Sequence, residues 1–336
     1  MSIWSRAPSR IDLAGGTLDI WPLYLLMDQG LTVNVAISIY SQAWLRPDGT
    51  DHYHLISEDS DLEATARTCE ELDVAGPLGL VARAVRHFAP APGLTVVTRN
   101  EAPRGSGLGA SSSLLVAVLA ALQKLGGQAP DSTELVNLAA DLEVQTIRVP
   151  TGKQDHYAAV YGGANAIWFG PGRIRVESLP FSDEFARRLR EAMILSFTGE
   201  SRSSGPTNWD AVKGYVEGRE ETRQGLDRIR ETSLAVREAW LAQDIGALGR
   251  LLGQEWENRC RLAQGVSTPR IEKIVAAASQ AGALASKVCG AGGGGCLVTL
   301  AREGRRDNVR QALEESGAEI LDFDFDLEGL VVRRLP

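Results

Sequence analysis

Apolar and polar residues alternate over short stretches of the first third of the chain, and a helical spacing takes over further on. Leu31–Tyr40, Ala43–Arg46 and Tyr53–Ser57 run apolar or alternate, and Pro47-Asp48-Gly49 makes a turn between the last two. Leu94–Asn100 (LTVVTRN) is a β-branched run and predicts a further strand. Helical spacing marks Pro77–Phe88, Ala110–Leu125 and Ser132–Ile147. Strands return at Ala164–Phe169 and Ile174–Leu179, and helices then dominate at Asn208–Ala242, Ile245–Ala263 and Thr268–Gln280. From Ala283 to Arg334 the order is strand, glycine loop, strand, helix, strand, strand. This mixed order predicts an α+β protein rather than a regular βαβ series. No tandem repeat or low-complexity linker interrupts it.

One junction carries chemistry. Pro103–Ser113 (PRGSGLGASSS) lies between the strand Leu94–Asn100 and the helix that ends at Gly126-Gly127. Glycines let backbone approach a ligand closely, and free N–H groups at a helix N-terminus favour an anion. Three serines add hydroxyls. A phosphate-binding loop follows from this, although no lysine follows the glycines as a P-loop requires and the dinucleotide spacing is not met. A serine-capped Gly/Ser turn is the plainer alternative.

Length and composition narrow the classes. The chain has 336 residues, which suggests about two domains, with 44% hydrophobic and 23% charged residues. The breaks at Pro171-Gly172 and Leu179–Asp183 divide it into 1–178 and 179–336. A net charge of -8 without long basic runs speaks against a nucleic-acid surface. No apolar run is long enough to span a membrane and no signal-peptide pattern opens the chain, so a cytoplasmic location is expected. Cys69, Cys260, Cys289 and Cys296 are scattered without C-x-x-C spacing, and the four histidines form no H-E-x-x-H pattern. Reduced, mostly packed thiols are expected. Composition leaves the oligomeric state open, a homodimer included.

Two more segments stand beside the Gly/Ser loop: APSRIDLAGGTLDIWP (Ala7–Pro22) and KVCGAGGGGCLVTL (Lys287–Leu300). The second formally satisfies G-x-G-x-x-G, but a strand follows it instead of a helix. In order and spacing the three segments resemble the motifs of the GHMP kinases, and the resemblance covers nearly the whole chain. Thr151–Ala166, Phe197–Gly205, Trp256–Ile274 and Gly282–Gly295 are similar to sugar kinases related to heptose 7-phosphate kinase.

The resemblance implies a ribosomal-protein-S5-like ATP-binding domain over 1–178, a ferredoxin-like domain over 179–336, and an active site in the cleft between them. It implies ATP and Mg2+, and a sugar or sugar phosphate as acceptor, with transfer to the anomeric hydroxyl. The nucleotide contacts would be Pro103, Gly105, Ser106, Gly107, Leu108, Gly109, Ala110, Ser111 and Ser112, with Gly292 and Gly293 from the last loop. Ser111 and Glu143 would hold the metal; a helix cap and a solvated helical carboxylate are the alternatives. Asp155 would face the acceptor hydroxyl as general base, with Arg10 and Lys153 holding it ionised; taken alone it would be a helix cap. Asp19, Gly16, Thr17 and Gln154 would contact the sugar. Arg202 would read a phosphate or carboxylate, or stand as an exposed loop arginine. Heptose kinases usually have A-G-G-G-T-D where this chain has Ala14-Gly15-Gly16-Thr17-Leu18-Asp19, which leaves the sugar open. Trp21 would be core or stack on the sugar. A non-catalytic sensor, a neutral-sugar kinase and an ATP-dependent decarboxylase are the competing functions, and the GKQD segment speaks against the last.

Overall fold

The computed structural model describes residues 2–129, 131–201, 205–263 and 265–336. Two sheets organise it. The larger contains β1 (Ser2–Ala14), β2 (Gly30–Pro47), β3 (Tyr53–Ser57), β4 (Leu62–Ala66), β5 (Leu94–Asn100), β6 (Ala164–Phe169), β7 (Arg175–Ser178) and β12 (Val331–Leu335). Its order is β12-β1-β2-β5-β3-β4, and β6 carries β7 along the other half of β2. Only the β3–β5 pair is parallel. The smaller sheet has the order β11-β8-β10-β9, from β8 (Met193–Phe197), β9 (Ala283–Val288), β10 (Cys296–Ala301) and β11 (Glu319–Leu321). The helices are α1 (Leu23–Leu26), α2 (Gly79–Phe88), α3 (Ala110–Leu125), α4 (Ser132–Ile147), α5 (Gln154–Tyr161), α6 (Asp183–Ala192), α7 (Gly205–Val216), α8 (Glu220–Leu241), α9 (Ile245–Leu262), α10 (Pro269–Ala281) and α11 (Arg306–Glu315).

Two departures from the sequence pattern have clear causes. Leu31–Tyr40 and Ala43–Arg46 are one strand, because Ser41 and Gln42 keep pairing with β1 on one side and β5 on the other. The Ser41 hydroxyl donates to Asn100 Oδ1 at 2.6 Å, so its polarity is satisfied inside the sheet. The long helix expected over Asn208–Ala242 breaks into α7 and α8 at Gly218, whose φ is +73°. The final strand, β12, returns to pair with β1, so the N-terminal sheet draws on both ends of the chain.

Packing explains why α3 fixes the site. It is apolar nearly all round, and residues 112–122 are all buried. It lies against β1 and β2, with α2, α4 and α5 around it. The loop before it is thereby held rigidly above the first sheet. Asp131 caps α4 by accepting from the N–H groups of Thr133 and Glu134, each at 2.9 Å. Thr268 caps α10, with Pro269 in its first turn. A separate core of Ile194, Ile271, Ile274, Val288, Leu297, Val309 and Leu313 binds α10 and α11 to the second sheet.

Candidate active site

A cleft of about 690 Å³ is lined by residues of the larger sheet, the Gly/Ser loop, α9 and the last glycine loop. Its floor is the Gly/Ser loop ahead of α3. Gly107 meets Gly290 of the last glycine loop so closely that a Cβ on Gly107 would stand 3.1 Å from the Gly290 backbone. The Cys296 N–H donates to the Ser106 carbonyl at 2.7 Å and locks the two loops together. Pro103, Gly105, Ser106, Gly107, Gly109, Ala110, Ser111 and Gly292 line the cleft. Three of the expected nucleotide contacts do not. Leu108 is fully buried in the core. Ser112 turns its hydroxyl to Glu143, at 3.0 Å from Oε2. The Gly293 N–H is taken by the Val266 carbonyl.

Asp155 stands in the first turn of α5. Arg10, on β1, donates from Nε to its Oδ1 at 2.8 Å, and Nη2 lies 2.7 Å from the same oxygen. A second bond, from Arg10 Nη1 to the Gly107 carbonyl at 2.7 Å, ties this pair to the Gly/Ser loop. Oδ1 is thus occupied, Oδ2 has no protein partner among the described residues, and Asp155 lines the cleft. Burial raises the pKa of Asp155, and Arg10 opposes that rise. Lys153 does not share the task. Its Nζ donates to Asn137 Oδ1 at 2.8 Å, and it is not part of the cleft lining.

Gly109 fixes where that carboxylate can sit. Its φ is +77°, and a Cβ there would come within 2.9 Å of Asp155 Cγ. Gly109→Ala is therefore expected to push the carboxylate aside and strain the start of α3. A displacement on the order of 1 Å at a reacting group costs about 100-fold in rate. Steady-state kinetics would check it; a variant turning over like the wild type would remove the steric argument.

Asp19 faces the same cleft. Its Oδ2 accepts from the Gln154 N–H at 2.9 Å, so it sits at the N-terminus of α5 beside Asp155. Burial pushes its pKa up to about 6, against the opposing Gln154 bond. Gly16, Thr17 and Gln154 also line this part. The Gln154 Oε1 accepts from Asn34 at 3.4 Å, which leaves Nε2 turned toward Gly16. Arg202 lies outside the described residues. Trp21 is neither core nor part of the cleft: it is 56% exposed, whereas Trp209 of α7 lines the cleft.

Since an ionised carboxylate accepts hydroxyl bonds more strongly than a neutral one, sugar affinity should fall as the pH drops through about 6, the folded-state pKa of Asp19. Calorimetric titration at pH 5 and pH 7.5 would show it, and Asp19→Asn should flatten the difference. Equal affinities at both values for the unaltered protein would rule the contact out.

Glu143, on α4, lies one layer behind the lining and is 4% exposed. The Ser111 hydroxyl donates to its Oε1 at 2.7 Å. His156 Nε2 approaches Oε2 at 3.2 Å, although neither ring nitrogen makes a well-angled hydrogen bond. Burial would raise this carboxyl, but His156 and the two serines outweigh it and hold the pKa below the usual range. No group of three or more His, Cys, Asp or Glu side chains suited to a metal occurs among the described residues.

Beneath the cleft lies a charge cluster that the sequence pattern did not signal. Lys287, on β9, donates to Asp12 Oδ2 at 2.7 Å and to the Asp12 carbonyl at 2.8 Å. Both side chains are buried. Arg259, on α9, donates to the Gly16 carbonyl at 2.7 Å and lies 3.7 Å from Glu255. Burial pushes Glu255 up to about 7. Arg259 lies within Trp256–Ile274 and Lys287 opens the last glycine motif, but only the fold brings them beside the Ala7–Pro22 segment.

With this geometry in view, the comparisons are consistent. Residues 78–163 match the GHMP kinases N terminal domain and residues 235–319 the GHMP kinases C terminal domain. The chain is 29% identical over 337 residues to D-glycero-alpha-D-manno-heptose 7-phosphate kinase of Campylobacter jejuni, covering 98% of each. It is 30% identical over 224 residues to mevalonate kinase of Archaeoglobus fulgidus, covering 66% of this chain and 71% of that protein. The crystal structure of a D-glycero-D-manno-heptose 1-phosphate kinase from Bacteroides thetaiotaomicron superposes with a TM-score of 0.81 at 25% identity, covering 99% of each chain. The chain belongs to the GHMP kinases. It is an ATP-dependent kinase with the two-domain α+β fold of that family. No helix among the described residues is long and apolar enough to cross a membrane.

Proposed function

We propose that this kinase phosphorylates the anomeric hydroxyl of a sugar phosphate of the heptose 7-phosphate class. The observation that carries the chemistry is the division of labour on Asp155, a residue of the cleft lining: Oδ1 is clamped by Arg10, and Oδ2 bonds no described residue. Oδ2 would take the proton of the acceptor hydroxyl as its oxygen attacks the γ-phosphorus of ATP and ADP leaves. Asp19 and Gln154 would orient the ring. The acceptor class rests on the full-length similarity to the heptose kinase.

The residues around Glu143 fit magnesium. One buried carboxylate and the Ser111 hydroxyl are hard oxygen donors, and magnesium near phosphates takes few protein ligands. When bound, the ion would neutralise charge developing on the transferred phosphoryl group. The chain's own part is to keep Glu143 ionised and to hold the Ser111 hydroxyl beside it.

A second reading, a neutral-sugar kinase, draws on one observation. Two cations that line the cleft with Asp19 are already engaged by protein acceptors, Arg10 by Asp155 and Arg259 by Gly16, and Lys287 beneath it is held by Asp12. A panel of D-glycero-D-manno-heptose 7-phosphate, D-mannose, L-fucose and D-galactose with ATP, followed by phosphorus NMR of the product, tests the proposal. A new anomeric phosphate on the heptose phosphate is expected. Turnover of neutral sugars alone, or a phosphate at another position, would overturn it.

A further inference from the structure

Gly15–Leu18 forms a tight turn, closed by the Leu18 N–H donating to the Gly15 carbonyl at 3.1 Å. Within it Thr17 has a φ of +84°. The third residue of such a turn is ordinarily glycine or asparagine. A β-branched residue with positive φ is an outlier, and it persists only where its surroundings impose it.

Thr17 differs from the other described non-glycine residues in this region, which are Asp61, Ala89, Arg148 and Gln243. Asp61 lies between β3 and β4, and the other three follow helix ends. Left-handed residues are ordinary at such places. Those four are exposed or half-buried, whereas Thr17 is buried and lines the cleft two residues from Asp19.

The polar side chains around the adjoining Gly16 have tasks within the protein. Asp12 pairs with Lys287, Arg259 holds the Gly16 carbonyl and Gln154 takes Asn34. The Thr17 hydroxyl bonds to no described residue, and it is not sealed from the cleft. A glycine would satisfy the turn without strain. The threonine side chain therefore has no evident folding role here, and its free hydroxyl is available to a ligand.

We propose that Thr17 is a specificity-determining residue whose hydroxyl reads a hydroxyl of the acceptor sugar, next to the one held by Asp19. The inference rests on a sugar acceptor bound at Asp19. A carboxylate only accepts hydrogen bonds, whereas a threonine hydroxyl donates as well as accepts. Together they suit the two oxygens of a vicinal diol.

The test compares Thr17→Ser, Thr17→Val and Thr17→Gly on the same four sugars. Ser is expected to keep kcat/KM within about twofold on the accepted sugar. Val and Gly should lose about 10-fold, through the sugar KM and with the ATP KM unmoved, as loss of one hydrogen bond implies. Gly should melt at or above the wild-type temperature, because it relieves the strained backbone. A monodeoxy analogue lacking the hydroxyl that is read should lose activity with the wild type and lose nothing further with Val. Wild-type kcat/KM for Val and Gly on the accepted sugar would overturn the proposal alone, as would Gly melting below wild type. If the wild type phosphorylates none of the four sugars, the sugar-acceptor reading falls and this inference with it.

Discussion

Asp155→Asn is expected to lower kcat by about 100- to 10,000-fold, the range that a positioned general base contributes. The substitution is nearly isosteric, and its side-chain oxygen can still accept from Arg10. What it removes is the capacity of the unclamped Oδ2 to take a proton. Nucleotide and sugar should therefore still bind, and the loss should fall on turnover rather than on KM. The pH dependence follows with a definite sign. A base works when ionised, so wild-type turnover should rise with pH through the Asp155 pKa, which burial holds above the ordinary carboxylate value. The residual rate of the variant should lack that limb. Single-turnover measurements from pH 5 to 8 would separate the two. Near-native turnover by the variant would remove Asp155 from the chemistry.

The same residue shows what could be read from the chain and what could not. Glycine spacing and a following helix mark Gly105–Ser112 as a tight glycine turn opening onto a helix, and the structure has that turn, because backbone geometry there depends on local residue type. The helices Ala110–Leu125 and Ser132–Ile147 begin and end where the apolar pattern and the Gly126-Gly127 pair place them. Pairings across the fold are different. Arg10 and Asp155 are far apart in sequence, and nothing local distinguishes Arg10 from Lys153 as the carboxylate's partner. The structure separates them because β1 aims Arg10 under Gly107, while Lys153 precedes α5 and turns to Asn137 on α4. Leu108 illustrates the converse. It stands between two glycines of the loop, yet an apolar side chain in that setting turns to the core, and its backbone contributes instead: the carbonyl accepts from the Arg10 N–H and the N–H donates to Ser106 Oγ. Glu143 needed the resemblance, since a helical glutamate carries no local signal; its two serine donors and the histidine beside it emerge only from the packing of α3, α4 and α5.

Lys287→Met should destabilise the protein by about 3–5 kcal/mol, the usual consequence of removing one partner from a buried ion pair. Lys287 is fully buried, and its ammonium bonds both the carboxylate and the carbonyl of Asp12. The contact joins β9 of the second sheet to β1 of the first, and so ties the last glycine loop to the Ala7–Pro22 segment. Burial alone would raise the Asp12 pKa; Lys287, then Arg259 and Arg10, outweigh it and hold the group below the ordinary value. A depressed carboxylate stabilises the fold above its unfolded-state pKa and loses that contribution as the pH falls through the folded value. The wild type should thus lose the Asp12 contribution only in acid. Lys287→Met should carry its deficit at neutral pH, and the gap should shrink as Asp12 becomes protonated. Urea melts at pH 7 and pH 4 would measure both. The double variant Asp12→Asn, Lys287→Met supplies the decisive comparison. It leaves no uncompensated charge, so its loss should fall short of the sum of the single losses by a coupling of about 0.5–3 kcal/mol. Strictly additive losses would show that the pair does not act as a unit, and the last glycine loop would then be held in place by the Gly107–Gly290 contact and the Cys296–Ser106 bond instead.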